Sequence, residues 1–410
     1  PSVGLGWVIS NESFFEPLTN VIQYLKVRGT WGQVGNSQIS GRRFAYLATV
    51  TDSSSTSYTF GKNMDQNYGT TAIDEYAVDV TWEVADKTDI GVDMRLLNNK
   101  LNLQFDYFKE SREGIYLRRS SIPSYVGMIN NPYGNIGKVE NKGFELSVNY
   151  ANSWGGDWSL SLMGNYSFNR NKVLEDDSTV VYPWQNTIGN KVGQRFGLVA
   201  LGLFENYGEI AASPVQTGDT RPGDIKYKDI NGDGKIDEYD KVPIGWGSVP
   251  EIMYGFGFSV GWKNLSLTAM FQGAAHVDAM LSGEGVLPFS QGSSRGNLLS
   301  NITDRWTEEN PRQNAFYPRL SIGNINMNYE ESTWWLKDTD YLRLKNIELS
   351  YRLPDHWMKR IHLDNARIFI QGVNLLTFSS FKIWDEELGD GRGARYPNIA
   401  SVSLGVNFNF

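Results

Sequence analysis

The sequence predicts an all-β fold, an antiparallel transmembrane β-barrel, on three observations. Apolar residues recur at every second position, in runs of about ten. The links between runs alternate between short and long, as in barrels with short turns on one side and long loops on the other. The composition, with 42 Gly and 13% aromatic residues in 410, is that of strands and turns. No window approaches the roughly 18 consecutive apolar residues of a membrane helix.

Strands are expected near 1–9, 22–32, 88–97, 101–109, 143–152, 158–169, 254–262, 265–273, 341–353, 366–378 and 401–410. Between the third and fourth stands only "NNK" (98–100). "GFELSVNY" aligns Phe144, Leu146, Val148 and Tyr150; "SWGGD" (153–157) then turns the chain. "WSLSLMGNYSF" does the same with Trp158, Leu160, Leu162, Tyr166 and Phe168. "FGFSVGW" and "LSLTAMF" follow around the turn "KN" (263–264). "LRLKNIELSYRL" changes phase between Leu344 and Ile347, as a β-bulge does. The final "SVSLGVNFNF" places Val402, Leu404, Val406, Phe408 and Phe410 on one face, with Ser and Asn dominating the other.

The long links cover 33–87, 110–142, 170–253, 274–340 and 379–400. Compact soluble domains seldom carry five such loops. "RFGLVALGLF" (195–204) reads as a strand, but counting it as spanning breaks the parity of the links. It is therefore assigned to structure within the long external loop. Trp158, Trp262 and Phe410, near strand ends, suit interfacial girdles. A soluble β core filled by the same aromatics is the alternative. Eleven strands leave two open sheet edges, which lipid does not tolerate. The remaining barrel is expected N-terminal to Pro1, in the same gene product or a separate chain.

A net charge of −8 without a basic block argues against nucleic acid as partner. The absence of Cys removes disulfides, thiolate metal sites and thiol catalysis.

The stretches "PSVGLGWVISNESFF", "LKVRGTWGQVGN", "TWEVADKTDIGVDMRLLNNKLNLQFDYFKE", "NIGKVENKGFELSVNY" and "GDIKYKDINGDGKIDEYDKVPIG" occur in order. "RWTEENP", "YPRLSI", "YLRLKNIELSYRLP", "QGVNLLTFSSFKIWDEE" and the terminal "NFNF" follow. Together they resemble the C-terminal half of a SusC/RagA-type TonB-dependent outer-membrane transporter of Bacteroidetes. The resemblance implies about 11 strands of a larger plugged barrel of about 22, with the plug and N-terminal domains outside this chain. It implies bacterial outer-membrane localisation, a SusD-like surface lipoprotein that delivers ligand, and a TonB-linked motor acting through an N-terminal region. It implies import of a nutrient, an oligosaccharide ahead of a peptide, and no enzyme activity. It also makes Phe410 a C-terminal assembly signal, with a last lipid-facing residue as the plain alternative. An outer-membrane receptor or adhesin with calcium-stabilised loops and no transport is the second reading; a soluble enzyme is the third.

One loop carries metal-site chemistry. "KDINGDGKIDEYDK" (228–241) fits D-x-[DN]-x-[DN]-G, with Asp229, Asn231 and Asp233 at positions 1, 3 and 5. Lys235 offers its carbonyl at 7, Asp237 stands at 9 and Asp240 at 12. Four crowded carboxylates repel without a cation. A structural Ca2+ is expected, with Mg2+ or a solvated Asp/Gly turn as alternatives. "TRPGDIKYK" and "KVPIGWGSVP" lack helical periodicity, so no helix pair is present for calcium to open. The ion is expected to pin a long loop without a core of its own.

Other motifs are weaker. "GFSVG" (257–261) lies in an alternating strand and "GSSRG" (292–296) in a polar loop, neither offering the strand–turn–helix of a nucleophile elbow. His276, His356 and His362 show no metal spacing; the latter two fall in an expected periplasmic turn. "WDEE" (384–387) lies in an external loop and either faces the lumen or is a solvated charge cluster or a loop-fixing contact. Trp- and Tyr-rich loops stack sugars, hold peptides or fill a loop core.

Overall fold

The computed structural model describes residues 1–37, 44–64, 66–289, 298–323, 325–360 and 363–409. Eleven strands form one sheet in sequence order: β1 (Ser2–Val8), β2 (Ile22–Asn36), β3 (Glu83–Leu96), β4 (Leu101–Arg118), β5 (Tyr133–Trp154) and β6 (Trp158–Glu175), then β7 (Ile252–Trp262), β8 (Leu265–Ala275), β9 (Tyr341–Arg352), β10 (Asn365–Ser379) and β11 (Ser401–Asn409). Every neighbouring pair is antiparallel. All eleven expected strands are present. Among the described residues no helix is long and apolar enough to cross a membrane.

The short turns are built by residues that accept left-handed backbone. Leu97, Asn98 and Asn99 take φ +56 to +63° between β3 and β4, and Gly155 and Gly156 take φ +62° and +72° between β5 and β6. The register slips between Leu344 and Asn346, where the sequence changes phase. The expected turn after β9 contains a short helix, Asp355–Arg360, which places His356 on that side. His362 and Phe410 lie outside the described residues.

The pairing sorts side chains onto two faces. One carries Leu5, Val402, Leu404 and Phe378, with relative exposures of 80%, 65%, 78% and 60%. In water such a continuous apolar surface is an aggregation hazard; facing lipid it is the stable arrangement. Phe144 stacks on Tyr166 at 5.7 Å, and Trp158 lies 6.0 Å from Trp262 at the short-turn end. The opposite face is polar. There Arg28 of β2 pairs with Asp89 (3.0 Å) and Asp93 (3.6 Å) of β3, and with Asp106 of β4.

Several strands are longer than expected, mostly toward the long loops. On β5 the apolar row ends at Phe144. Beyond it Glu140 pairs with Lys109 at 2.8 Å, and Lys138 pairs with Glu113 at 2.5 Å. A β-strand crosses the hydrocarbon in about 9–11 residues, whereas β5 has 22.

The long connections hold the main surprise. The expectation that the Asp-rich loop has no core of its own is overturned. The described parts of segments 176–251, 276–340 and 380–400 converge on a single cluster that buries Leu198, Leu203, Ile225, Tyr227, Met280, Trp306, Tyr317, Trp335 and Phe381. Two of its polar atoms are matched within it: Trp335 Nε1 donates to the Asn328 carbonyl at 2.7 Å and Tyr227 Oη to the Met327 carbonyl at 2.9 Å. The 195–204 run belongs to this cap. Arg195–Gly197 pairs with Val242–Ile244, and Ala200–Leu203 with Ile225–Tyr227.

Candidate functional site

Three features of the long-loop side carry the chemistry: the Asp loop, the anchors of the cap, and a cavity on the polar face of the sheet. All six expected metal-loop residues lie in one tight turn. Gly232 and Gly234, at φ +77° and +79°, let the chain curl back over Asp229. Asp229 accepts from the Gly232 amide (2.6 Å) and the Gly234 amide (2.9 Å). Asn231 Oδ1 accepts from Asp233 N, and Asp233 Oδ1 from Lys235 N. Asp237 caps the short 3-10 turn that follows, accepting from Tyr239 N at 2.8 Å.

Asp240 is fully buried and accepts from Ile230 N (2.7 Å) and Asp237 N (2.9 Å), stitching the two ends of the loop together. Each carboxylate thus meets backbone donors. Among the described residues no three His, Asp or Glu side chains converge as a metal cluster. The loop closes through its own hydrogen bonds, while each carboxylate oxygen keeps a second lone pair. Trp184 Nε1 and Gln185 Nε2 donate to the carbonyls of Tyr239 (2.8 Å) and Glu238 (2.9 Å), clamping this turn to the first stretch of its own connection.

The acidic run at 385–387 is a fastening. Arg343 of β9, 3% exposed at its side chain, reaches Asp385 at 3.0 Å, Glu386 at 2.9 Å and Glu387 at 3.3 Å. Tyr341 Oη donates to Glu387 at 2.6 Å. Burial pushes the Asp385 carboxyl up, but the Glu387 amide and Arg343 outweigh it and hold the carboxyl below its ordinary range.

A second anchor centres on Glu251, next to β7, which meets Arg170 at 2.6 Å, Lys191 at 3.2 Å and His276 at 3.2 Å. Burial raises this carboxyl too, and the three partners together bring it below the usual range. The His276 ring lies flat on Trp246, 4.0 Å between centroids. Arg195 bridges Asp278 and Asp390, tying three connections together.

"GFSVG" sits inside β7 with no turn or helix after the serine, so it is no nucleophile elbow. "GSSRG" lies outside the described residues. Several loop aromatics are spent on packing: Trp306, Tyr317 and Trp335 are core, and Tyr182 stacks on Trp184 at 4.6 Å beside Tyr239, whereas Tyr46, Trp82, Tyr125 and Tyr396 are exposed.

Sequence reasoning missed the cavity. About 700 Å³ in volume, it lies against the polar face of β4–β6, beneath the connection that follows β6. Ile115, Leu117, Val139, Val173 and Val192 form an aliphatic wall, beside Asn141, Asn169 and Asn171. Asn141 and Asn171 face one another across β5 and β6. Asn171 Oδ1 accepts from Val192 N at 2.7 Å, whereas Asn141 Oδ1 is buried without a hydrogen-bond partner among the described residues. The cavity's three cations among the described residues are already paired, Arg112 with Glu83 (3.0 Å) and Glu110 (2.9 Å), Lys138 with Glu113 (2.5 Å) and Lys191 with Glu251, while Glu175 and Asp176 add two further carboxylates. The only trace in the sequence is an Asn-rich polar face on two consecutive strands.

Comparison with known proteins accords with this geometry. The family described as "TonB dependent receptor-like, beta-barrel" matches residues 1–375. TonB-dependent receptor P3 of Formosa agariphila is 28% identical over 441 residues, covering 100% of this chain and 42% of its own length. TonB-dependent receptor SusC of Bacteroides thetaiotaomicron is 26% identical over 426 residues, covering 100% and 40%. The chain therefore spans about two-fifths of these relatives. Among solved structures, the RagAB peptide importer in its open-open state superposes with a TM-score of 0.72 at 21% identity, over 100% of this chain and 42% of that one, a likeness of fold.

Proposed function

This chain belongs to the TonB-dependent receptor-like β-barrel family of the outer membrane, and from that premise we propose that it forms wall and cap of an active importer for an oligomeric nutrient. A SusD-like lipoprotein on the outer surface hands over the ligand, and TonB acts through a plug and N-terminal region supplied outside this sequence. The observation that carries the reading is the pairing of a lipid-facing apolar surface with a polar inner face, under a cap fastened by buried ion pairs. A porin-like open channel has no need of such fastening. The chain has only to bind and guide ligand, so no covalent step is assigned to it.

Deletion of the full gene tests this directly. Loss of growth on one polymer, reproduced by removing TonB, is the expected result. Normal uptake with retained surface binding of the ligand would instead favour a receptor without transport. Of the loop aromatics, Tyr227, Trp306, Tyr317, Trp335 and Phe381 fill the cap core, whereas Tyr46, Trp82, Tyr125 and Tyr396 remain exposed.

We propose, in addition, that the 229–240 loop takes a structural calcium-type ion. Asp229, Asn231, Asp233, the Lys235 carbonyl and Asp237 would hold it, Asp240 serving chiefly as the staple beneath. Support comes from the all-oxygen donor set, which suits a hard cation, and from like charges held close in one turn. Calorimetry on the chelator-stripped full-length protein is expected to show divalent-ion binding that Asp229→Ala removes. No binding in the parent protein would sink this idea.

A further inference from the structure

We infer that the cavity on the polar face of β4–β6 is a peptide subsite, in which Asn141, Asn169 and Asn171 read the backbone of an extended segment while the aliphatic wall receives a side chain. The inference rests on the import reading and deepens it by naming the ligand class.

Chemistry, spacing and charge all point to the same occupant. A carboxamide carries both an acceptor and donors, and so matches the N–H and C=O of a peptide unit. Asn141 Oδ1 is buried without a partner among the described residues, an arrangement that carries a desolvation penalty which a ligand N–H removes once the carboxamide turns into the cavity. Asn169 and Asn171 stand two residues apart on one strand, roughly 6.8 Å. An extended peptide running alongside repeats its outward-facing polar groups at the same interval. Main-chain bonds of this kind supply affinity, and pockets for alternate side chains supply selectivity.

The remaining lining selects against other classes. Of the described lining residues, three are cations (Arg112, Lys138 and Lys191) and three are carboxylates (Glu110, Glu175 and Asp176), so the cavity asks for no net charge. Its wall is aliphatic, and Phe196 is the one aromatic ring among its described lining residues. A sugar ring seats its C–H face on an aromatic plate and needs partners for every hydroxyl. Against Ile115, Leu117 and Val173 those hydroxyls lose water without compensation. A Leu, Ile or Val side chain gains by the same burial.

The test uses the full-length transporter purified in detergent. The probes are a labelled Leu/Ala hexapeptide, a Ser/Gly hexapeptide and a malto-oligosaccharide mixture. The Leu/Ala peptide is expected to bind at least roughly tenfold more tightly than the Ser/Gly peptide, with no competition from the sugars. Asn141→Leu and Asn169→Ala should each weaken it by roughly tenfold, the loss of one or two hydrogen bonds. Val173→Glu should abolish the preference for Leu. Three sites are probed, so misfolding of one variant, read from its heat-modifiable migration on a gel, leaves two. Binding that none of the variants alters, or sugars that displace the peptide, would overturn the subsite. Energy-dependent sugar uptake without peptide binding would overturn it too while leaving import standing. Peptide binding without energy-dependent uptake would support the subsite and count against import.

Discussion

Replacing Arg343 by Met should release the last long connection from the sheet. The guanidinium is 3% exposed at its side chain, and the carboxylates of Asp385 and Glu386 are each 8% exposed. Met preserves length and bulk but leaves those two buried carboxylates without a cation. Removing one partner of a buried ion pair costs about 3–5 kcal/mol. The loss falls on the docked state of residues 383–399, because the sheet pairing of β9 with β8 and β10 does not depend on this side chain. Local opening is read by amide hydrogen exchange. At about 1.4 kcal/mol per tenfold, even 3 kcal/mol means exchange roughly 150-fold faster across that segment. The triple variant Arg343→Met, Asp385→Asn, Glu386→Gln removes the orphaned charges and should recover most of the protection. Acceleration below about threefold, or a triple variant as labile as the single one, would refute the reasoning.

Two further outcomes follow from the same anchors and core. The Asp385 and Glu251 carboxyls lie below their ordinary range in the folded protein, so they bind protons less readily folded than unfolded. Their stabilisation is complete above the unfolded values, about 4, and is lost as pH falls through the lower folded ones. The cap should loosen below about pH 4, seen as a drop in near-ultraviolet dichroism while far-ultraviolet β signal persists. Trp335→Ala removes the largest fully buried side chain of the cap and should cost about 3–5 kcal/mol. Proteases should then cut within 195–340 while the heat-modifiable gel shift of the barrel survives; simultaneous loss of both would show that cap and wall melt together.

What the sequence disclosed follows from the range of the contacts involved. Alternation is local, so "GFELSVNY" and "WSLSLMGNYSF" announce their faces, and the Asn and Gly residues at 98–99 and 155–156 mark the reversals. Strand ends on the long-loop side were hidden because the outward row on β5 turns from Phe144 to Lys142 and Glu140, breaking the hydrophobic period while pairing continues. The cap core was hidden for a different reason. Leu198, Trp306 and Phe381 meet across more than a hundred residues of chain, and no short window reveals that. The same holds for Arg343 and its three carboxylates. For the 229–240 loop the residue pattern was plain, but the capture of its carboxylates by backbone amides depends on the turn itself. The asparagines of the cavity were legible only as a polar face; their meeting depends on the register of β5 against β6.

The overhang of the strands sets the height at which this protein meets its surroundings. On β5 about half of 22 residues lie beyond the apolar belt; at ~3.4 Å each and a tilt near 45°, they lift the rim by roughly 25 Å. The cap is therefore mounted on a collar clear of the lipid headgroups. A partner docking on the cap would meet it in water, and the bilayer grips only the stem below. Detergent or lipid exchange should accordingly disturb the lower wall and leave the collar and its cap to their own ion pairs.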